Sequence, residues 1–312
     1  MQTNAIVFRK PGDLGVETLT LTNPDAREIV VETLWSGISS GTERLLLEGT
    51  MPPFPGMGYP LVPGYESVGR VTRAADESGP QVGELVFVPG ARGYVDARGL
   101  FGASASTLVA DAAKAVPLPD NMGETGALLA LAATAHHALA LSGSRAPDLI
   151  VGHGVLGRLI ARISIALGNP APTVWESAAG RRVDAPYPVI DGAHDSRTDY
   201  TSIMDASGDP AILDTAIAHL AKGGEIVLAG FYSRALSFAF PPAFMREARF
   251  RVAAEFDRLD IDAVLALVTS GRLSLDGLIT HRAAPADAAD AYDTAFNDPS
   301  CLKMILDWRA CA

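Results

Sequence analysis

The pattern of apolar and polar residues divides the chain into two kinds of region. Up to about residue 120, short β-branched runs are separated by glycine and proline, which predicts a compact, mostly β region. From Leu149 onward, apolar runs of strand length alternate with stretches of helical periodicity, which is typical of a doubly wound parallel sheet. The strands predicted in the first region are 5–8, 29–33, 67–71 and 84–88.

The second region predicts a Rossmann sheet, because parallel strands joined by right-handed helical crossovers give that order. Its predicted strands are 148–151, 172–175, 188–191, 201–205, 225–229 and 250–254, with helices at 157–167 and 210–221. The apolar stretch 124–141 predicts one long buried helix before it. Helices at 261–270 and 283–296 and a strand at 301–307 are too few to form a domain alone. We therefore expect one domain from 1–120 with 258–312, and a dinucleotide-binding domain from 121–257.

A glycine-rich segment joins the first predicted strand of this sheet to its helix. Gly152, Gly154 and Gly157 form G-x-G-x-x-G, in which the glycines permit a tight turn, a close approach of backbone to pyrophosphate, and packing of helix on strand. The pyrophosphate of a dinucleotide is expected at the N-terminus of the helix, against unpaired N–H groups. The predicted cofactor-binding residues here are Gly152, His153 (through its backbone), Gly154, Val155, Leu156, Gly157 and, after the fourth strand, Ser207.

The end of the second predicted strand carries the residues that choose between NAD and NADP. Glu176 lies about 20 residues beyond the first glycine, where an acid binds the ribose hydroxyls and repels a 2′-phosphate. Arg181 and Arg182 favour a phosphate instead, since guanidinium groups suit it. We place these arginines on the solvated face of a following helix and favour NAD.

Composition narrows the possible partners and compartment. The net charge of −11 and pI of about 5.0 argue against a nucleic-acid partner. Met1 to Lys10 predicts a strand rather than a secretory leader, and no apolar stretch is long enough for a transmembrane segment, so we expect a cytoplasmic protein. Cys301 and Cys311 are too few for a four-cysteine zinc lobe.

Four segments resemble the medium-chain dehydrogenase/reductase superfamily. They are Gly37-Ile-Ser-Ser-Gly-Thr-Glu43, Gly64-Tyr-Glu-Ser-Val-Gly-Arg-Val71, Thr134-Ala-His-His-Ala-Leu139 and Leu278-Ile-Thr-His281. The resemblance spans the chain and implies a GroES-like catalytic domain beside the Rossmann domain. It also implies an NAD-dependent alcohol dehydrogenase, with a homodimer joined through the Rossmann sheet edge. Leu236–Phe240 is the candidate edge segment.

Three further segments resemble the hydroxyethyl bacteriochlorophyllide dehydrogenases of that superfamily. They are 3–12, 35–44 and 54–66. The resemblance implies a magnesium tetrapyrrole, a bacteriochlorophyllide, as substrate, and oxidation of its 1-hydroxyethyl group to acetyl with NAD⁺. The alternative is a zinc-free quinone or enone reductase of the same superfamily using NADPH. A non-catalytic cofactor-binding protein is a third interpretation, and it would bind NAD(H) without turnover.

The zinc ligands of the resembling alcohol dehydrogenases are replaced in this chain. The first position falls on Ser39 or Ser40, the second on Tyr65 and the third near Ala130. Neutral hydroxyls are poor zinc ligands, so we expect no catalytic metal. Another group must then handle the hydroxyl proton and hold the carbonyl oxygen. The candidates for these two tasks are Tyr65, as acid/base or hydrogen-bond donor, with Thr42, Glu43, Ser39, Ser40 and Glu66.

His136 and His137 are adjacent in a predicted helix. Such neighbours point about 100° apart, so we expect only one to face a given site. Histidine has the pKa of a proton shuttle, which makes His136 a candidate, and a buried, hydrogen-bonded structural histidine is the alternative.

A flat apolar macrocycle requires an apolar groove with aromatic walls. The stiff apolar segment Met51–Pro63 offers Phe54, Met57 and Tyr59 as one wall. Phe231 and Tyr232 are candidates for the opposite wall, with Phe238, Phe240 and Phe244 beyond them. Each of these side chains alone is as consistent with a core or subunit contact as with a pocket.

Overall fold

The computed structural model describes residues 1–53, 55–76, 79–141, 145–183 and 185–311. Internal contacts divide the chain into two compact units, Met1–Ala130 with Asp276–Ala312, and Leu131–Leu275. The junctions therefore lie beyond those expected after residues 120 and 257. The helix that begins at Arg258 belongs to the second unit, because its Asp260 is hydrogen-bonded to His136 and His137 of that unit.

The first unit is built on two sheets. One has the strand order β2-β1-β4-β7, with β1 Gln2–Lys10, β2 Asp13–Thr20, β4 Leu61–Val62 and β7 Arg98–Gly99. The other has the order β16-β17-β3-β5-β6-β9, with β8 also paired to β3. Its strands are β3 Glu28–Ile38, β5 Ser67–Arg73, β6 Leu85–Val88, β8 Thr107–Asp111, β9 Val116–Pro117, β16 His281–Ala283 and β17 Met304–Asp307.

The long strand β3 organises the larger sheet. It pairs antiparallel with β17 on one side and with β5 and β8 along its length. Two helices complete the unit, α1 Thr42–Glu48 and α7 Ala288–Asn297. Continuous buried runs of β1 and β3, Ala5–Phe8 and Ile29–Val31, contribute to the core where the sequence predicted strands.

The second unit contains the predicted Rossmann sheet. Its six parallel strands have the order β12-β11-β10-β13-β14-β15, the doubly wound arrangement 3-2-1-4-5-6. The strands are β10 Leu149–Val151, β11 Thr173–Trp175, β12 Val189–Ile190, β13 Tyr200–Asp205, β14 Leu220–Leu228 and β15 Arg249–Val252. The predicted fold class is confirmed, and the strands differ from the predicted ones mainly at their ends.

Among the described residues, five α-helices accompany this sheet. They are α2 Leu129–Leu141, which spans the junction, α3 Val155–Ala166, α4 Ile212–His219, α5 Phe240–Arg246 and α6 Arg258–Thr269. The α3 helix turns one apolar face inward, with Leu159, Ile160 and Ile163 fully buried. The α6 helix begins with a capping box. The Asp257 carboxylate accepts the backbone N–H of Asp260, and the Asp260 carboxylate accepts the backbone N–H of Asp257.

Two predicted elements are wrong. The helix expected over 124–141 is α-helical only from Leu129, because residues 120–128 form 3₁₀ turns interrupted at Gly123, whose φ of 48° is not helical. The edge segment expected at 236–240 is not a strand, since the sheet ends at β15. Within the described residues, no helix is both long enough and apolar enough to cross a membrane.

Candidate active site

The glycine-rich loop has the conformation that a dinucleotide requires. Gly152 has a φ of +97°, and a Cβ atom on Gly157 would lie 1.9 Å from the carbonyl oxygen of Gly152. Only glycine fits either position. A Cβ atom on Gly154 would meet nothing within 4 Å, so the protein leaves that side of the loop open. The α3 helix begins immediately after it without a side-chain cap, which leaves N–H groups for a pyrophosphate.

Glu176 follows β11 and lies against this loop. One carboxylate oxygen accepts the backbone N–H of His153 at 3.2 Å, and the other accepts the N–H of Ala178 at 2.8 Å. The residue is 8% exposed. Each carboxylate oxygen has a second lone pair, so the side chain retains the capacity to accept two ribose hydroxyls.

The arginines after Glu176 are not on an α-helix. Arg181 ends the 3₁₀ turn Ala179–Arg181, and Arg182 follows it. Arg182 donates to the carbonyls of Glu176 and Ser177 at 3.0 and 2.9 Å and lies 3.3 Å from a carboxylate oxygen of Asp191. Its guanidinium therefore bonds oxygen atoms of the segment that follows β11, whereas we expected it on the solvated face of a helix.

The side chain of His153 has a structural role that the sequence did not suggest. The ring is fully buried, with Nδ1 at 2.9 Å from the Arg181 carbonyl and Nε2 at 3.1 Å from the Tyr187 hydroxyl. Because a carbonyl only accepts, Nδ1 carries the proton and Nε2 accepts from Tyr187. Burial lowers the pKa of His153, which favours this neutral form. The side chain thus ties the glycine loop to the Arg181 turn.

The topological switch point of the sheet lies between β10 and β13, where Val151 pairs with Asp205. Asp205 accepts the backbone N–H and the hydroxyl of Ser207 at 2.9 and 2.6 Å on one oxygen, and the Tyr232 hydroxyl on the other. Burial raises the pKa of Asp205. Ser207 therefore borders the crevice in which Rossmann sheets hold dinucleotides, and Tyr232 is engaged at a strand end.

Three hydroxyl groups meet in the first unit. The Tyr65 hydroxyl lies 2.6 Å from the Ser39 hydroxyl and 3.5 Å from that of Thr42. Ser39 follows β3, Thr42 begins α1, and Tyr65 lies just before β5, so three elements place one side chain each. Burial, with the nearby charge of Glu66, raises the pKa of Tyr65, so the group is a neutral phenol. Ser40 lies exposed in the turn before α1.

A buried ion pair lies beside this hydroxyl cluster. Lys303, immediately before β17, contacts the carboxylate of Glu66 and donates to the Ile38 carbonyl at 3.0 Å. Burial is the main cause that raises the pKa of Glu66, and Lys303 opposes it. A Cβ atom on Gly37 would lie 2.2 Å from that carboxylate, so glycine is required there. Lys303 was missed in the sequence, although it is the one charge in the apolar run 302–306.

The predicted aromatic walls are only partly accounted for. Met57 and Tyr59 are half-buried and pack on the core of the first unit, and the Tyr59 hydroxyl donates to the Leu46 carbonyl. Phe231 of the second unit is 49% exposed. Phe54 lies outside the described residues.

His136 and His137 share one partner, contrary to the expectation that helix neighbours diverge. Their Nδ1 atoms lie 2.7 and 2.8 Å from the two oxygens of Asp260. One carboxylate reaches both rings because its oxygens are spread across the gap between them. A structural histidine makes such a bond, and the proton-transfer role of His136 stays a prediction.

The resembling zinc enzymes' metal does not fit the residues found here. The first lost ligand position falls on Ser39 or Ser40, the second on Tyr65 and the third near Ala130, and none of these residues offers a thiolate, imidazole or carboxylate. Across the described ranges, no group of three or more His, Cys, Asp or Glu side chains is arranged to hold a metal ion.

Comparison with known proteins shows what the chain is similar to. No protein-family model matches it. A 2-desacetyl-2-hydroxyethyl bacteriochlorophyllide A dehydrogenase from Cereibacter sphaeroides is 56% identical over 100% of both chains. The protein of that name from Rhodobacter capsulatus is 53% identical over 99% of both chains. An alcohol dehydrogenase from Escherichia coli CFT073, solved with NADH, has a TM-score of 0.83 at 20% identity and covers 98% of this chain and 99% of its own.

These two full-length relatives, with the Rossmann sheet and its glycine loop, make the chain a medium-chain dehydrogenase, an oxidoreductase of the nicotinamide-dependent class. Within that class, the chain belongs to the 2-desacetyl-2-hydroxyethyl bacteriochlorophyllide A dehydrogenase family. The resemblance found in the sequence is thereby confirmed.

Proposed function

We propose that this dehydrogenase oxidises the hydroxyethyl group of a bacteriochlorophyllide to acetyl, with NAD⁺ as acceptor and without a catalytic metal. The observation that carries the proposal is the cluster of Tyr65, Ser39 and Thr42 hydroxyls, in a chain that matches the named relatives from end to end. In this reaction the carbinol C–H bond breaks with its electron pair, and the hydroxyl proton is lost.

Bound NAD⁺ would accept the hydride. Gly154 and the N-terminus of α3 would face its pyrophosphate, and Glu176 would accept the ribose hydroxyls. The Nη1 atom of Arg182 already contacts three acceptors of the protein, among them the Asp191 carboxylate, which supports NAD over NADP. The NADPH-dependent reductase alternative lacks a comparable supporting feature.

The hydroxyl cluster is suited to holding the substrate oxygen as it becomes a carbonyl. If Ser39 donates its hydrogen to Tyr65, the phenol is left to donate its own to the substrate oxygen. The raised pKa of Tyr65 favours this donor role over that of a base. Thr42 lies beside the exposed turn at 40–41, where its hydroxyl can pass the substrate proton to water.

We propose a homodimer formed by pairing of β15 with its copy. The strand is last in its sheet, and the exposed apolar side chains around it are Phe238, Phe240, Phe244, Met245 and Val252. Exposed edges with apolar neighbours favour pairing with another chain. Light scattering of Phe244→Glu tests this, with Leu259→Glu as control because Leu259 is 75% exposed outside that group. A Phe244→Glu protein that remains dimeric would refute the interface.

The function is tested by absorption spectroscopy. Protein is mixed with 3-(1-hydroxyethyl) bacteriochlorophyllide a and either NAD⁺ or NADP⁺, in dim light without oxygen. Because an acetyl group conjugates with the macrocycle, its formation moves the far-red band to longer wavelength. A shift with NAD⁺ supports the proposal, a shift with NADP⁺ alone refutes the cofactor assignment, and no shift with either refutes the substrate. Activity that survives chelation in metal-free protein supports zinc independence.

A further inference from the structure

Glu43 is a buried carboxylate that the mechanism above does not use. It is the second residue of α1 and is 1% exposed. One oxygen accepts the backbone N–H of Ser39 at 3.2 Å, and the other accepts the hydroxyl of Tyr292 from α7 at 2.6 Å. Both donors are neutral, so hydrogen bonds from uncharged groups, and not a salt bridge, stabilise the ionised carboxylate.

Ser39 connects this carboxylate to the hydroxyl cluster. Its backbone N–H bonds Glu43, while its hydroxyl lies 2.6 Å from that of Tyr65. The Glu43 backbone N–H also donates to the Ser39 carbonyl at 3.0 Å, so the two residues are bound at both ends. Because Ser39 contacts both Glu43 and Tyr65, a change in the hydrogen bonding of Glu43 alters the position of the Ser39 hydroxyl.

We propose that Glu43 is a positioning residue for the alcohol oxidation, whose ionised carboxylate fixes Ser39 against Tyr65. This inference rests on the proposed function. As a carboxylate, Glu43 accepts from Ser39 and Tyr292 together. Once protonated, the carboxyl group is uncharged, and the bond that it accepts from the Ser39 N–H weakens because a neutral acceptor binds less strongly than an ionised one. The ordered hydroxyl cluster thus belongs to the ionised form.

The charged groups around Glu43 place its titration in the working range of an enzyme. Burial is the main cause that raises its pKa, and the charge of Glu66 adds to it. The bonds from Tyr292 and the Ser39 N–H and the charge of Lys303 lower it, and the pKa that results is about 7. The charge of Glu43 in turn raises the pKa of Tyr65, which keeps that group a phenol. We therefore expect turnover to rise with pH through an inflection near this pKa.

The experiment compares Glu43→Gln with Glu48→Gln, a control on the same helix whose side chain is 51% exposed. kcat and KM are measured from about pH 5.5 to 9 with the hydroxyethyl substrate and NAD⁺. Glu43→Gln is expected to have roughly tenfold lower kcat, no inflection near neutrality and an unchanged KM for NAD⁺. Glu48→Gln is expected to match wild type. Wild-type kcat and an unchanged inflection in Glu43→Gln would overturn the inference.

A stability measurement follows the same ionisation without turnover. The pKa of Glu43 is raised on folding, so its contribution is complete below its unfolded pKa and is lost as pH rises towards about 7. The wild-type Tm should fall relative to that of Glu43→Gln across this window. A constant difference would contradict the ionisation assigned to Glu43.

Tyr292→Phe provides the second variant if Glu43→Gln does not fold. It removes one donor to the carboxylate, so the inflection should move to higher pH. An unmoved inflection would overturn the inference. Wild-type protein that does not oxidise the substrate refutes the proposed function and this inference with it, whereas an active wild type beside an unaffected Glu43→Gln refutes the inference alone.

Discussion

Lys303 and Glu66 form an ion pair, and their side chains are 2% and 0% exposed. Glu66 directly follows Tyr65 in the sequence. Two strand starts supply the pair, since Lys303 immediately precedes β17 and Glu66 immediately precedes β5. Breaking such a pair by removing one partner is costly, because the remaining charge stays buried without compensation.

Lys303→Met is therefore expected to lower the free energy of unfolding by about 3–5 kcal/mol. Urea denaturation at neutral pH measures the loss. The control is Lys222→Met, because Lys222 pairs with Glu247 while 72% exposed, and exposed pairs contribute about 0–1 kcal/mol. Equal stability losses in the two variants would show that burial of the Glu66 pair is energetically irrelevant.

Gly154→Ala is expected to fold as wild type and to bind NAD⁺ at least about tenfold more weakly. The added methyl group meets no protein atom within 4 Å, but it projects into the side of the loop left open for the pyrophosphate. Calorimetry gives Kd, and the Tm reports on the fold. Gly180→Ala is the control, because a Cβ there also meets nothing within 4 Å. Unaltered NAD⁺ binding in Gly154→Ala would exclude the loop as the pyrophosphate site.

Glu176→Gln is expected to reduce the preference for NAD⁺ over NADP⁺ by roughly tenfold, equivalent to about 1.4 kcal/mol. The amide removes the charge that repels a 2′-phosphate and can accept on only one atom. The ratio of kcat/KM for the two cofactors measures the effect. A preference equal to that of wild type would mean that selectivity resides elsewhere.

Tyr65→Phe is expected to lower kcat by about 10²-fold while the KM for NAD⁺ stays unchanged, because only the donor to the substrate oxygen is removed. Steady-state kinetics at saturating NAD⁺ measure it. Tyr94→Phe is the matched control, since the buried Tyr94 hydroxyl donates to the Gly102 carbonyl at 2.5 Å. It should lose stability and keep its kcat. Full activity in Tyr65→Phe would remove Tyr65 from the mechanism.

Local sequence signals foretold the Rossmann sheet and its cofactor loop. The spacing of Gly152, Gly154 and Gly157 after an apolar run depends on neighbouring residues only, and so does the acid at 176. The prediction of a helix was wrong where one residue changed the backbone conformation. Gly123 has a φ of 48°, which interrupts the predicted helix.

Partners distant along the chain were beyond sequence reasoning. Glu43 meets Tyr292 across 249 positions, and Lys303 meets the Ile38 carbonyl across 265. No periodicity joins such residues, because the contact exists only once β17 and α7 have joined the first unit. The candidate hydroxyls of Ser39, Thr42 and Tyr65 could be named from the motifs, but their mutual distances could not.

Asp260 makes the geometry of α2 and α6 interdependent. Its carboxylate caps α6 through the Asp257 N–H and also bonds His136 and His137, two adjacent residues of α2. A single hydrogen bond would let α2 rotate about its own axis, whereas two hydrogen bonds from adjacent residues to one carboxylate fix that rotation. Inserting one residue before His136 would turn both rings away together, so we expect length changes in α2 to be tolerated far less than substitutions on its surface.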